Sequence, residues 1–207
     1  GGPIYLSDDP DDFNAEVVRP LCCEDGRLLR PLAPAVPLPR SVTLDPFEQP
    51  ESYIAAAPLP NRAVALVAYN LTEPTQPVQG SISSQDYADG RGLLDTADGP
   101  AWPEPEEGLV LYDWYNGEAT LLEGPWAYRL DAFDDRYLLL CPIRNGWAVI
   151  GRTDKYLSPA AVEIIDITPE TLVLRSREDA TVTVWVQGEC HHFPVTAGIT
   201  RIAKPAC

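Results

Sequence analysis

Gly1-Gly2-Pro3-Ile4-Tyr5-Leu6-Ser7-Asp8 is the stretch on which the fold turns. Pro3 to Leu6 reads as a buried strand, and it runs straight into a polar tip at Ser7, Asp8 and Asp9. Phe13, Val17 and Leu21 follow four apart, which puts them on one face of a helix. Asp9, Asp11 and Asp12 crowd the start of that helix, where its dipole favours anions, and Pro20 marks its expected end. A strand leading into a helix is half of a β/α unit. A parallel strand needs neighbours on both sides and helices over its faces. No second β/α unit is visible downstream. The expectation is therefore that the chain is the tail of a longer protein, opening on the last strand of a parallel barrel or sheet. The alternative is a tag remnant at Gly1-Gly2 ahead of an ordinary edge strand.

Outward from this stretch the pattern changes twice. Asp25-Gly26 marks a turn, and Leu28 to Arg30 is a short extended piece. Pro31, Pro34, Pro37, Pro39, Pro46, Pro50, Pro58 and Pro60 then forbid a regular helix and favour extended chain. The apolar Leu32, Val36, Leu38, Leu44 and Phe47 among them predict a packed connector rather than a loose linker. From Arg62 onward, short β-branched or aromatic runs alternate with Gly, Pro, Asn and Asp turns. They are residues 64–69, 78–83, 109–114, 118–122, 136–141, 147–150, 162–167, 171–175, 181–186 and 199–203. Asn116-Gly117 and Asn145-Gly146 are hairpin signals. Residues 90–105 read as a loop. The prediction is a mainly β chain: an antiparallel β-sandwich preceded by the last strand-helix unit of a (β/α)8 barrel. Its expected divisions are residues 1–30, the barrel end; 31–60, the connector; and 61–207, the sandwich.

Composition limits the partners. The net charge of −16 argues against nucleic acid or an anionic membrane, both of which demand clustered Lys and Arg. No run approaches the roughly 18 apolar residues of a membrane span. Cys22, Cys23, Cys141, Cys190 and Cys207 are odd in number, and no pair has metal-ligand spacing. Reduced thiols and a cytoplasmic protein are the expectation. Cys190-His191-His192 invites a zinc reading, but no second ligand pair accompanies it; a strand-end or loop cluster is the reading preferred. No cofactor is implied.

Gly1 to Asp8, the helix after it and Glu24-Asp25-Gly26-Arg27-Leu28-Leu29-Arg30 together resemble the late part of the raffinose synthase and seed imbibition proteins, which are α-galactosidase-like glycoside hydrolases. Pro37-Leu38-Pro39-Arg40 and Leu44-Asp45-Pro46 resemble the segment that follows in that family, with Ser41 where an acidic residue is usual. Tyr69-Asn70 resembles the close of its first sandwich strand. The resemblance is strongest over residues 1–46 and is mostly one of pattern beyond Leu71. It implies a catalytic (β/α)8 barrel followed by an antiparallel β-domain, an α-galactoside oligosaccharide as substrate, and hydrolysis or galactosyl transfer as the reaction. Retaining glycosidases use two carboxylates about 5–5.5 Å apart. The resemblance places both on earlier strands, the acid/base in an Asp-Met-Phe-type motif that does not occur here. The chain alone is thus expected to be inactive, with its upstream barrel as the partner.

What the stretch can contribute is pocket wall. Ser7 and Asp8 fall at the carboxyl end of the expected last strand, where barrel sites lie. Asp8 there either accepts hydrogen bonds from sugar hydroxyls or caps the following helix. Asp134-Asp135 and Glu104 with Glu106-Glu107 read as solvated turns, because nothing apolar surrounds them to raise a pKa. Asp113-Trp114-Tyr115, Trp126 and Trp147 offer rings either for stacking sugars or for core packing. Ser158, His191 and Asp154 form no recognisable nucleophile arrangement.

Overall fold

A computed structural model describes residues 13–73, 76–94 and 102–205. The expected opening strand at residues 3–6, with Ser7 and Asp8, lies outside the described residues. What is described is mainly β, built of several antiparallel sheets. Three short helices, α1 (Ala15–Val18), α2 (Pro39–Val42) and α3 (Ser84–Gly92), accompany fourteen strands among the described residues. In chain order the strands are β1 (Val36–Pro37), β2 (Tyr53–Pro58), β3 (Val64–Tyr69), β4 (Val78–Ile82), β5 (Leu109–Asp113), β6 (Glu118–Leu121) and β7 (Trp126–Leu130). They continue with β8 (Asp135–Pro142), β9 (Trp147–Gly151), β10 (Val162–Ile167), β11 (Thr171–Ser176), β12 (Ala180–Val186), β13 (Glu189–Val195) and β14 (Gly198–Ala203).

A six-stranded sheet in the order β1-β2-β3-β8-β5-β6 is the centre. Its inner strands are apolar on both faces, which is why β3 reads as a nearly continuous apolar run. Val64, Leu66 and Ala68 on one face join Leu138 and Leu140 in a core closed by Val78, Ile82, Tyr128 and Leu130 of the β4-β7 pair and by Tyr87 of α3. Ala65 on the opposite face joins Leu139 and Cys141 in a second core, which Ala148 and Ile150 of β9 complete. Trp147 and Val149 on the far side of β9 enter a third core with β12, β10, β11 and β14. The sheets β13-β12-β9 and β10-β11-β14 therefore adjoin the central one through β9.

The two hairpin signals have different outcomes. Asn116-Gly117 joins β5 to β6, with Asp113 opposite Glu118. Asn145 and Gly146 adopt φ of 52° and 78°, the left-handed pair that a type I′ turn requires. Arg144 and Trp147 exchange backbone hydrogen bonds of 2.8 and 3.0 Å across that turn. The pairing then stops, and β9 runs along β12 instead. The reason is packing: Ala148 and Ile150 meet Leu139 and Cys141 across a core rather than side by side.

Several elements depart from the sequence reading. Tyr53–Pro58, inside the proline-rich stretch, is extended as expected but forms the full strand β2, paired with β3 from Tyr53↔Tyr69 to Pro58↔Val64. Trp126–Leu130 and Glu189–Val195 are also strands. Ser84–Gly92 is a helix whose first turn carries a capping box between Ser83 and Asp86. Its three buried residues, Asp86, Tyr87 and Gly90, keep helical spacing, but only one of them is a large apolar side chain. Gly90 is required there, since a Cβ would stand 2.5 Å from a methyl of Val64. No described helix is long and apolar enough to cross a membrane.

Candidate functional site

The residues after Ser7 and Asp8 show how that part of the chain is held. Asn14 caps α1, its side-chain oxygen accepting from the Glu16 amide at 3.0 Å. The helix is only Ala15–Val18, followed by a tight turn at Arg19–Leu21 that contains Pro20. It buries no residue, and Phe13 and Val17 are 45% and 50% exposed.

The carboxyl end of the same segment is fastened to the β region. Lys155, buried, donates through Nζ to the Arg19 carbonyl at 2.9 Å. The Tyr156 amide donates to the Pro20 carbonyl at 3.1 Å, and the Glu24 amide to the Glu178 carboxylate at 2.8 Å. Arg152, also buried, binds both Glu178 and Asp154, the latter at 2.7 Å. Burial works against the charged Asp154 carboxyl, but Arg152 and then Lys155 outweigh it and hold its pKa below the ordinary value.

Arg40, half-exposed, clasps the buried Asp86. Arg40 pairs with Asp86 at 2.8 Å and donates to the Ser81 carbonyl at 2.9 Å. Burial raises the Asp86 carboxyl above its usual pKa, against the opposing pull of the Ser83 amide and Arg40. Ser41 is buried and accepts from the Ile54 amide at 3.0 Å. Asn70 is buried as well. Its amide donates to the carbonyls of Gln76 at 2.7 Å and Asp131 at 2.8 Å, while its oxygen accepts from the Thr72 hydroxyl at 2.8 Å.

The aromatic candidates separate. Trp147 is fully buried and its indole donates to the Thr168 carbonyl, so it is core. Trp126 packs against the first core. Trp114 lies 4.8 Å from Tyr156 and 5.8 Å from Tyr115, and its indole donates to the Lys155 carbonyl. Tyr115 is 54% exposed and donates to Asp135 at 2.7 Å. Burial and then that carboxylate push the Tyr115 phenol above its usual pKa, and Tyr69 is raised by the same two causes in the same order. Asp113, beside them, is buried and neutralised by Arg136 at 2.7 Å.

The remaining candidates take structural places. Glu104 pairs with Arg91 at 2.9 Å, and Glu107 accepts from the Gly146 amide at 2.7 Å. Cys190, His191 and His192 lie near the start of β13, so neighbours in sequence point to opposite faces. His192 Nδ1 is 3.0 Å from the Thr183 hydroxyl. No metal-binding group of His, Cys, Asp and Glu occurs among the described residues. Cys22, Cys23, Cys141 and Cys190 are free thiols. Ser158 donates to the Lys155 carbonyl, and the Asp154 carboxylate accepts from Arg152.

Sequence reasoning passed over Asn61. Its backbone is left-handed at φ 62°, and its amide donates to the carbonyls of Pro159 and Val162 at 2.8 and 2.9 Å. Its oxygen accepts from the Ile164 amide at 3.1 Å. The available signal was an Asn directly after Pro60 and between two apolar runs, a residue type enriched at positive φ. No family model matches the chain, and no curated protein matches it.

Proposed function

We propose that the chain is the C-terminal part of a glycoside hydrolase acting on α-galactosides, of the raffinose synthase and seed imbibition type, by hydrolysis or galactosyl transfer. In this reading residues 1–21 close a (β/α)8 barrel, and the antiparallel region is its accessory β-sandwich. The observation that carries the proposal is the contrast within one short segment. Val17 on a one-turn helix that buries nothing, and Phe13 just before its cap, are half-exposed, yet Arg19, Pro20 and Glu24 are hydrogen-bonded to the β region. A helix this short has no stability of its own and draws it from packing. A barrel wall over Phe13 and Val17 supplies that packing. The family resemblance of residues 1–46 supplies the identity of the barrel.

Ser7 and Asp8 are then pocket wall, holding sugar hydroxyls, while both reacting carboxylates come from earlier strands. Nitrophenyl α-galactoside offered to the 207-residue chain should not turn over. Turnover would show that carboxylates of this chain do the chemistry.

A second reading, a non-catalytic sugar-binding β-module, is favoured by the exposed Tyr115 ring with its Asp135 partner, an aromatic face beside an acceptor for hydroxyls. Titration of the chain with raffinose separates the two. Saturable binding that Tyr115→Ala abolishes supports the module, and its absence leaves the hydrolase reading.

A further inference from the structure

Arginine is gathered at one cleft of a strongly acidic chain. The chain has 31 Asp and Glu against 15 Lys and Arg. Four of those 15 cations, Arg27, Arg30, Arg175 and Arg177, line a single open cleft of about 820 Å³ between the segment after α1 and the sheet β10-β11-β14. Glu163 is the one carboxylate on its wall, and it is matched by Arg175 at 2.7 Å. Among the described residues no carboxylate lies within ion-pair distance of Arg27, Arg30 or Arg177. Outside the cleft Arg19, Arg40, Arg91, Arg129, Arg136 and Arg152 are paired with acids, whereas Arg62, Arg144 and Arg201 have no carboxylate within ion-pair distance among the described residues. A concave surface of one sign focuses the field and concentrates the opposite charge, even where the whole molecule carries the same sign as the ligand.

The frame around these side chains is held in place. The loop that presents Arg27 is closed by the Cys23 amide on the Arg27 carbonyl at 3.0 Å and the Gly26 amide on the Cys23 carbonyl at 2.9 Å. Asp25, the nearest acid in sequence, is turned back onto the Arg27 amide at 3.0 Å. The Leu29 amide donates to the Leu21 carbonyl at 2.9 Å. The opposite wall is fixed by the Asn61 bonds to Pro159, Val162 and Ile164. Leu28, Pro60 and Val162 add apolar wall to the cleft. Guanidinium forks bind phosphate oxygens two at a time, which a single carboxylate cannot match in charge.

We propose that this cleft is a binding site for a phosphorylated small molecule, with Arg27, Arg30 and Arg177 as its phosphate ligands. The test is calorimetric titration of the chain with pyrophosphate, with citrate as the polycarboxylate arm. Expected is saturable pyrophosphate binding with Kd of about 1 mM or tighter at low salt, weakening as salt is added. The double variant Arg27→Gln/Arg177→Gln should lose about tenfold or more in affinity while keeping the parent's melting temperature. Arg129→Gln, which lies outside the cleft and is paired with Asp131, should bind as the parent does. Failure to bind, or binding that the double variant leaves intact, overturns the site. Citrate binding as tight as pyrophosphate overturns the phosphate assignment.

Discussion

Replacing Asn61 by Ala should destabilise the fold by about 3–4 kcal/mol. Three hydrogen bonds go at once: two donated to the Pro159 and Val162 carbonyls and one accepted from the Ile164 amide. At about 1 kcal/mol net for each, they amount to about 3 kcal/mol. Alanine must also hold the left-handed backbone, φ 62°, at a cost of about 1 kcal/mol. Two further variants separate these contributions. Asn61→Gly removes the bonds but tolerates the backbone, so it should be about 1 kcal/mol milder than Asn61→Ala. Asn61→Asp keeps the acceptor for Ile164 but aims a carboxylate at two carbonyls, so it should be at least as harmful as Ala. The assay is urea unfolding followed by tryptophan fluorescence, comparing midpoints at constant slope. A loss below about 1 kcal/mol for Asn61→Ala would refute the idea that this side chain joins the six-stranded sheet to β10.

Gly151→Ala should be among the most damaging single changes, costing more than about 3 kcal/mol, because the new Cβ would meet the Ser158 carbonyl at 2.1 Å on a backbone at φ +94°. Urea unfolding measures it. Lys155→Met should loosen the segment from Arg19 to Glu24, seen as faster amide exchange at Tyr156 and Glu24, whose amides donate to Pro20 and Glu178. Alkali should unfold the protein. Burial pushes the Tyr87 phenol and the Cys141 thiol each up to about 12, from ordinary values of 10.0 and 9.0. Both groups are raised in the folded state, so their contribution is complete below pH of about 9 and is lost as pH rises toward 12. Stability measured from pH 8 to 11 should therefore fall, and Cys141→Ala should make that fall shallower.

Much of the β architecture was legible because its signals are local. β3, β5, β10, β11, β12 and β14 carry β-branched or aromatic runs between turn residues, and Asn116-Gly117 announced its hairpin. The misses share a cause. In β2 the small Ala56 and Ala57 are buried because β1, β3 and α3 crowd them, and nothing in an alanine run between prolines reveals that. Partner choice was equally hidden: the Asn145-Gly146 turn was readable, whereas the transfer of β9 to β12 depends on a core formed by residues distant in sequence. Of the candidate site, Trp147 was readable as a core ring, whereas Ser41 was visible as a residue but not as a buried one. The clasp between Arg40 and Asp86 joins positions 46 apart in sequence, and the bond between Lys155 and Arg19 joins positions 136 apart, distances no pattern spans.

Galactose release from raffinose by the polypeptide translated together with its upstream reading frame is the most direct measurement. The 207-residue chain, assayed in parallel, should release none. Release by the longer polypeptide alone is the predicted result. Release by the short chain, or neither galactose release nor galactosyl transfer by the longer one on raffinose and on nitrophenyl α-galactoside alike, would contradict it.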